Sequence, residues 1–297
     1  MSGPTDDHGG QPAPDNRDVA DADGTPVDPL PRAARLAEDL YRARTGRVLL
    51  DASTHMAGLS MEDAYAVQDS LTRLRLDGGR RCVGWKLGYT SAAMRRQMGV
   101  SAPNFGPLLD DMVLPDGAAA AGFLHPRVEP EIGIVLSRDL SGAGLQLGDV
   151  ADAVAEVRAC LEIVDSIWAD YRFSAAQNTA DGSSAAGVVV GPRLGVDPLG
   201  CHEVQVELAE HDVVLATAVS AAAGGHPLHG VAWLAAELTG CGRHLHAGEL
   251  VITGGLTAAT PLRPGRVVSA RFGRNATVSV ARPAGERDAG LTATTAG

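Results

Sequence analysis

Two segments near the start of the chain repeat apolar residues at helical spacing. In "PLPRAARLAEDLYRARTGR", Leu36 and Leu40 fall on one side, with Ala33 and Tyr41 alongside. A second helix is predicted to begin after Ser60, which can cap it, with an acid three residues on, and to run to the glycine pair at 78–79. The pattern then predicts a short buried strand, "CVGWKLG", and a short helix, "SAAMRRQMG".

From residue 128 onward the pattern favours strands. Branched apolar residues and alternation predict strands at 128–136, 160–165, 187–190, 203–209, 212–219, 250–253, 266–272 and 276–281, with a hairpin turn at 210–212. Helices are predicted at about 148–158 and in "HGVAWLAAELTGCG", where Gly242 is the terminator. The pattern therefore indicates an α+β fold with a smaller helical N-terminal region on a β-rich body.

Composition divides the chain into four parts. Residues 1–32 contain seven aspartates and two arginines, which is −5 of the net charge of −11, and hold few large apolar residues. Such a segment buries too little surface to offset the entropy of ordering, so we expect a disordered acidic tail there and another at 283–297. Between them we expect an N-terminal α/β region at 33–127 and a β-rich catalytic body at 128–282.

Charge and cysteine usage exclude several classes of protein. A net charge of −11 argues against a nucleic-acid partner, and no apolar run has the length of a membrane span. The first residues lack the basic and apolar stretches of an export signal, so we expect a cytoplasmic protein. Four scattered cysteines without a CxxC pair argue against a disulfide framework or a structural zinc site.

Three glutamates interrupt apolar strand patterns. Glu129 and Glu131 stand two apart in "RVEPEIGIVL", so a strand would send both to one face, and Glu162 lies in the apolar run "CLEIVDS". Charged residues are seldom buried unless they are paired or bound to a metal. Either the first pair faces water and Glu162 pairs with an arginine, or the three carboxylates hold a cation. Oxygen ligands alone favour Mg²⁺ or Mn²⁺ over Zn²⁺.

The 25 basic residues include a single lysine, Lys86; the other 24 are arginines. A coding preference for arginine explains the bias, and one lysine surviving by chance is the plain alternative. A position that keeps lysine against that preference indicates a need for a compact ammonium, because the guanidinium is a wider, planar fork.

Six blocks in this order resemble the hydratase and decarboxylase branch of the fumarylacetoacetate hydrolase superfamily: "GWKLGYTS", "FGPLL", "HPRVEPEI", "LEIVDS", "TADGSS" and "VITGGLTAATPLRPG". The resemblance covers roughly residues 35–282 and implies a mixed β-roll fold. It implies that Glu129, Glu131 and Glu162 are Mg²⁺ or Mn²⁺ ligands and that Lys86 is the active-site lysine.

The resemblance also implies roles for five further residues. Asp181 and Asp165 would orient the lysine or a bound water, although local turn capping explains both equally well. Ser183 and Thr253 match substrate contacts, yet loop hydroxyls often only cap a turn. Asn104 stands in "PNFG", where hydratases of the family tend to carry an acid proposed for proton transfer, and an amide cannot act as a general base.

The implied activity is decarboxylation of a 2-oxo-3-enedioate, of the 2-oxo-3-hexenedioate type, in aromatic catabolism. A 2-oxo acid can chelate the metal, and loss of CO₂ then leaves a metal-stabilised dienolate. The alternative is 2-oxopent-4-enoate hydratase; C–C bond hydrolysis with His125 or His202 as base, and a metal-dependent acid binder or assembly partner, are further readings. Ile167 and Gly182 replace the usual Arg and Asn, which leaves the substrate less defined than the reaction. We expect a homo-oligomer, and the resemblance also allows a complex with a pathway hydratase.

Overall fold

The computed structural model describes residues 31–290. Six α-helices lie within them: α1 (Arg32–Thr45), α2 (Met61–Asp77), α3 (Ala92–Met98), α4 (Leu147–Ala151), α5 (Ala175–Ala180) and α6 (Pro227–Gly240). The helices predicted near 33–45 and after Ser60 are confirmed, and the Ser60 hydroxyl accepts a hydrogen bond from the Asp63 amide at 3.0 Å. No helix in this range is long and apolar enough to cross a membrane.

The same residues form thirteen strands. They are β1 (Cys82–Gly88), β2 (Asn104–Leu109), β3 (Val113–Pro115), β4 (Ala118–Ala119), β5 (Arg127–Leu136), β6 (Val154–Val164), β7 (Ala185–Leu194), β8 (Gln205–Glu210), β9 (Val213–Val219), β10 (Leu250–Ile252), β11 (Thr260–Pro261), β12 (Val267–Phe272) and β13 (Ala276–Ala281). All eight strands predicted from residue 128 onward are present, and the α+β fold class is confirmed.

One secondary-structure prediction was wrong. The helix expected at about 148–158 ends at Ala151, and β6 begins at Val154. This strand lies in the sheet between β5 and β7 and pairs with both along most of its length. Cross-strand pairing and burial therefore override the helical preference of its alanines and glutamates, which local sequence alone cannot show.

The strands form two sheets. The first has the order β2-β1-β10-β5-β6-β7-β3, with β11 also paired to β5, and the second has the order β4-β13-β12-β8-β9. The main core lies between them and α6, and includes Ile134, Leu161, Leu234, Val268 and Val278. The first sheet crosses the predicted boundary between residues 127 and 128, because β1 pairs in parallel with the distant β10.

The first sheet curls so that β2, at one end, lies against β7. Gly106 on β2 permits the approach, because any Cβ there would overlap the carbonyl of Gly182 just before β7. A second core joins α1 and α2 to the segment around Trp168 and α5. The curl matters for the site, because it brings β1 within reach of β6.

The chain between residues 283 and 290 has a defined path, contrary to the disorder predicted for 283–297. The Ala289 amide donates to the Leu124 carbonyl at 2.7 Å, and the Arg282 guanidinium binds Asp288 at 2.7 Å. These partners are far away in sequence or belong to the folded body, so composition did not reveal them. The predicted acidic tail at 1–32 lies outside the described residues except for its last two positions.

Candidate metal centre

Two neighbouring antiparallel strands bring the three glutamates together. Glu129 on β5 is directly opposite Glu162 on β6, and Glu131 follows two residues along the same face of β5. One carboxylate oxygen from each lies within 4.8 Å of the others. The convergence expected from the strand pattern is therefore present in the fold.

The carboxylates have the surroundings of a cation site. Glu131 and Glu162 are fully buried, and Glu131 Oε1 and Glu162 Oε2 have no hydrogen-bond donor among the described residues. The other oxygen, Glu131 Oε2, accepts the Gly254 amide at 2.7 Å. A Cβ at Gly255 would lie 2.5 Å from Glu129 Oε2, so that glycine leaves room for the carboxylate. Buried oxygens without donors are what a hard divalent cation would satisfy.

Lys86 supplies the nearest positive charge. Its Nζ lies 2.8 Å from Glu162 Oε1 and donates a hydrogen bond to the Ser183 carbonyl at 2.9 Å. Burial alone would lower the pKa of the ammonium, but Glu162, Glu131 and Glu129 together raise it, so Lys86 stays charged. Three carboxylates and one ammonium leave a charge of −2, which one divalent cation balances. The alternative, with Glu129 and Glu131 facing water and Glu162 paired to an arginine, does not hold, because Glu131 is buried and Glu162 pairs with Lys86.

Protonation of the glutamates shows how unfavourable their charges are without a cation. Burial, and then the repulsion of Glu162, raise the pKa of Glu129 to about 7. The same two causes raise the pKa of Glu131 well above its ordinary value. The metal-free site therefore holds protons that a bound cation would displace.

A left-handed turn presents the carbonyl that Lys86 binds. Gly182, Ser183 and Ser184 have φ of 70°, 60° and 54°, unusual for the two serines. The Ser183 hydroxyl donates to Asn104 Oδ1 at 3.1 Å, and the amide nitrogen of Asn104 donates to the Thr179 hydroxyl at 2.9 Å. Asn104 is fully buried, so it supports the turn.

Three of the predicted site residues have other partners. Asp165 and Asp181 both bind Arg44, at 3.4 Å and 3.1 Å, and Asp181 also accepts the Ile167 amide at 2.9 Å. Asp181 thus anchors the start of the turn that reaches Lys86, whose own hydrogen bond goes to Ser183. The Thr253 hydroxyl donates to the Ile132 carbonyl at 3.0 Å.

A cavity of about 290 Å³ opens beside the carboxylates, lined by Lys86, Glu129 and Ser183 among others. Its wall includes two residues that sequence reasoning missed, Arg127 and Tyr89. The Arg127 guanidinium carbon lies 3.8 Å from the centre of the Tyr171 ring. Arg127 precedes Glu129 by two residues, so strand alternation would have placed it on the same face. No histidine is among these lining residues, and His125 and His202 each bind a backbone carbonyl elsewhere.

Comparison with known proteins agrees with this geometry. The profile of the family described as "Fumarylacetoacetate (FAA) hydrolase C-terminal" matches residues 91–282. The chain is 34% identical over 217 residues to a 4-oxalocrotonate decarboxylase of Pseudomonas putida, covering 72% of this chain and 82% of that protein. It is 36% identical over 236 residues to a 2-keto-4-pentenoate hydratase of Paraburkholderia xenovorans (strain LB400), covering 78% and 87%.

A solved structure extends the likeness to three dimensions. The 4-oxalocrotonate decarboxylase from Pseudomonas putida G7, complexed with magnesium and adipate, has a TM-score of 0.81 and 32% identity, and the match covers 85% of this chain and 98% of that one. Profile, sequence relatives and fold agree, and the chain belongs to the fumarylacetoacetate hydrolase family, in its hydratase and decarboxylase branch.

Proposed function

We propose that the protein is a Mg²⁺-dependent decarboxylase of a 2-oxo-3-enedioate of the 2-oxo-3-hexenedioate type, acting in catabolism of aromatic compounds. Glu129, Glu131 and Glu162 would hold Mg²⁺, or Mn²⁺, because the three carboxylates converge and two of their buried oxygens, Glu131 Oε1 and Glu162 Oε2, have no donor. Bound there, the cation supplies a Lewis acid for the 2-oxo acid end of the substrate. The related decarboxylase that was solved with magnesium and a dicarboxylate, adipate, supports this assignment.

The side chains around the cavity suit a diacid. The Lys86 ammonium, held charged by the carboxylates, would stabilise the negative charge that develops on the substrate as CO₂ leaves. Arg127 is the other cation that lines the cavity, and its planar fork fits the second carboxylate. Because that carboxylate loses its charge in the reaction, we assign Arg127 to binding and placement rather than to rate acceleration.

One observation favours decarboxylation over hydration. Asn104 is a fully buried amide held between the hydroxyls of Ser183 and Thr179, at the position where hydratases of the branch tend to have an acid. Hydration needs a group that activates water, whereas loss of CO₂ does not. The second candidate is 2-oxopent-4-enoate hydratase, which the 36% identity to a hydratase favours. The described residues that line the cavity include no histidine, so C–C bond hydrolysis by a histidine base has no support.

A single assay tests the proposal. With Mg²⁺, the protein should release CO₂ from 2-oxo-3-hexenedioate, and Asn104→Ala should retain most of this activity, since the amide only supports the turn. Asn104→Asp should add some hydration of 2-hydroxypenta-2,4-dienoate. If the unchanged protein hydrates the dienoate efficiently and releases no CO₂ from the enedioate, the hydratase assignment replaces this one.

We also propose that the protein forms a homo-oligomer and associates with the hydratase that consumes its product. The acidic tail, residues 1–32, is not expected to contribute. Light scattering should give the same subunit number for the full chain and for a chain beginning at residue 33. Dissociation of the shortened chain into monomers would show that the tail takes part in assembly.

A further inference from the structure

A second group of metal-binding side chains lies apart from the three glutamates. Asp139, His244 and His246 each offer one ligand atom, and these atoms all lie within 4.8 Å of one another. Asp139 Oδ2 is 3.4 Å from His244 Nε2 and 3.9 Å from His246 Nδ1. None of the three lines the cavity beside Lys86. The catalytic assignment therefore leaves this group unexplained.

The backbone holds the group in place. Leu140 and Leu245 form an antiparallel bridge with two hydrogen bonds, of 2.9 Å and 3.1 Å, and both leucines are buried. His244 and His246 flank Leu245, so both project away from the core on one face. Asp139 comes directly before Leu140 on the facing segment. Side chains on a fixed bridge lose little freedom when they bind a metal.

The carboxylate of Asp139 is already oriented. Its Oδ1 accepts the Ala247 amide at 2.8 Å, which leaves Oδ2 towards the two imidazoles. A ligand whose second oxygen is fixed by a backbone donor is the usual arrangement in metal sites.

The ligand types indicate which ion would bind. Two imidazoles and one carboxylate favour a first-row transition ion, whereas the three glutamates favour a hard oxygen-loving ion. Tetrahedral Zn²⁺ with bonds of about 2.0–2.1 Å places its ligand atoms roughly 3.3 Å apart. The separations of 3.4 Å and 3.9 Å from Asp139 are close to this value, and the ligand atoms of the two imidazoles lie within 4.8 Å of each other. We propose that Asp139, His244 and His246 form a surface Zn²⁺ site, separate from the catalytic centre.

A bound Zn²⁺ would connect two segments of the fold and would leave room for another ligand. Three protein ligands leave a coordination position for water, and both histidines also line a cavity of about 480 Å³. The same turn continues into Glu249, which accepts hydrogen bonds from the His246 amide at 2.9 Å and from Trp85 at 3.2 Å, directly before β10. The ion would therefore tie the entry of β10 to the segment around Asp139 and stabilise the folded protein by mass action.

Equilibrium dialysis of untagged protein against Zn²⁺, in the presence of saturating Mg²⁺, tests the site. The unchanged protein should retain one Zn²⁺ per chain, and the double variant His244→Ala/His246→Ala should retain none while it keeps its Mg²⁺-dependent activity. Asp139→Asn should weaken Zn²⁺ binding at least tenfold. His211→Asn is the matched control: this exposed histidine has φ of 52°, which asparagine tolerates, and it should leave Zn²⁺ binding unchanged.

Two further measurements distinguish this site from the site formed by the three glutamates. Glu131→Gln should still bind one Zn²⁺, even if the proposed catalytic function is wrong, because the two sites share no ligand. Zn²⁺ should raise the melting temperature of the unchanged protein and leave that of Asp139→Asn nearly constant. Equal Zn²⁺ binding by the double variant and the unchanged protein, or loss of Zn²⁺ binding in Glu131→Gln, would overturn the proposal.

Discussion

Two groups of acidic side chains near the turn at residues 181–184 have opposite surroundings. Asp165 and Asp181 are saturated: Arg44 binds both, and backbone amides of Leu124, His125 and Ile167 donate to them. The three glutamates of the candidate metal centre share one ammonium and one backbone amide, and Glu131 Oε1 and Glu162 Oε2 have no donor among the described residues. Burial of acids is common to both groups; only the second group has buried oxygens without a donor.

The difference separates acids that stabilise the fold from the acids that we propose as metal ligands. A buried carboxylate that is fully hydrogen-bonded helps to fix the fold, and one without donors costs stability unless something binds it. The same type of substitution, acid to amide, should therefore act in opposite directions in the two groups. Four experiments exploit this contrast.

The largest effect is expected at Glu131. Glu131→Gln keeps the shape of the side chain but removes a charge, so Mg²⁺ binding by calorimetry should be lost and kcat/KM should fall by about a thousandfold. The metal-free variant should melt a few degrees higher than the unchanged protein at about pH 8, because the amide avoids the cost of burying the carboxyl group, which must either stay ionised or take up a proton. Glu156→Gln, on the same strand as Glu162 but paired with Arg158, is the control and should retain Mg²⁺. Undiminished Mg²⁺ affinity in Glu131→Gln would show that the three glutamates are not the Mg²⁺ site.

Lys86→Arg should have the next largest effect. The guanidinium cannot occupy the space of the ammonium between Glu162 and the Ser183 carbonyl without entering the cavity, so activity should fall about a hundredfold. Steady-state kinetics with saturating Mg²⁺ measures this. A rate within about tenfold of the unchanged enzyme, equivalent to about 1.4 kcal/mol of barrier, would show that the lysine is peripheral.

The saturated group should respond in stability. Asp181→Asn breaks its ion pair with Arg44 and weakens the bond to the Ile167 amide, so the free energy of unfolding in urea should fall by at least about 2 kcal/mol. Asp111→Asn, which weakens the more exposed ion pair with Arg75, should cost less than about 1 kcal/mol. Equal losses for the two variants would contradict the distinction between the groups.

The smallest effect concerns pH. Because the pKa of Glu129 in the folded metal-free protein is raised to about 7, that protein binds more protons than the unfolded chain. The resulting stability is present below the ordinary glutamate pKa and is lost as the pH rises through about 7. Mg²⁺ needs the deprotonated carboxylates, so the rise in melting temperature that it causes should be larger at about pH 8 than at about pH 6. An equal rise at both values would mean that protons and metal do not compete.

Local sequence predicted the acids better than their partners. Alternation along β5 placed Glu129 and Glu131 on one face, and the rarity of lysine pointed to Lys86. The partner of Asp181 could not be predicted, because Arg44 lies 137 positions away and belongs to a helix that packs against a different core. The contact of Lys86 with Glu162 likewise depends on the curl of the sheet, which arises from distant pairings such as that of β1 with β10.

The same limit explains the errors in secondary structure and the missed residues. The segment 152–158 has two alanines and a glutamate, which favour a helix, and only its two neighbouring strands make it part of β6. Strand alternation could have identified Arg127, since it lies two residues before Glu129. Tyr89 could not be identified in this way, because its position depends on a left-handed φ of 56° and on a hydrogen bond of 2.7 Å from Asn178.

Glu129 and Glu162 face each other on two strands inside the first sheet, whereas much of the cavity wall comes from loops and from α3. A change in the loops can alter the shape and charge of the cavity without moving the carboxylates, but a change in strand register would dismantle them. Such a scaffold can acquire new substrates by exchanging wall residues while one charge arrangement persists. Related enzymes with different reactions can therefore diverge by a few loop substitutions, and those loops are where directed evolution of this protein should begin.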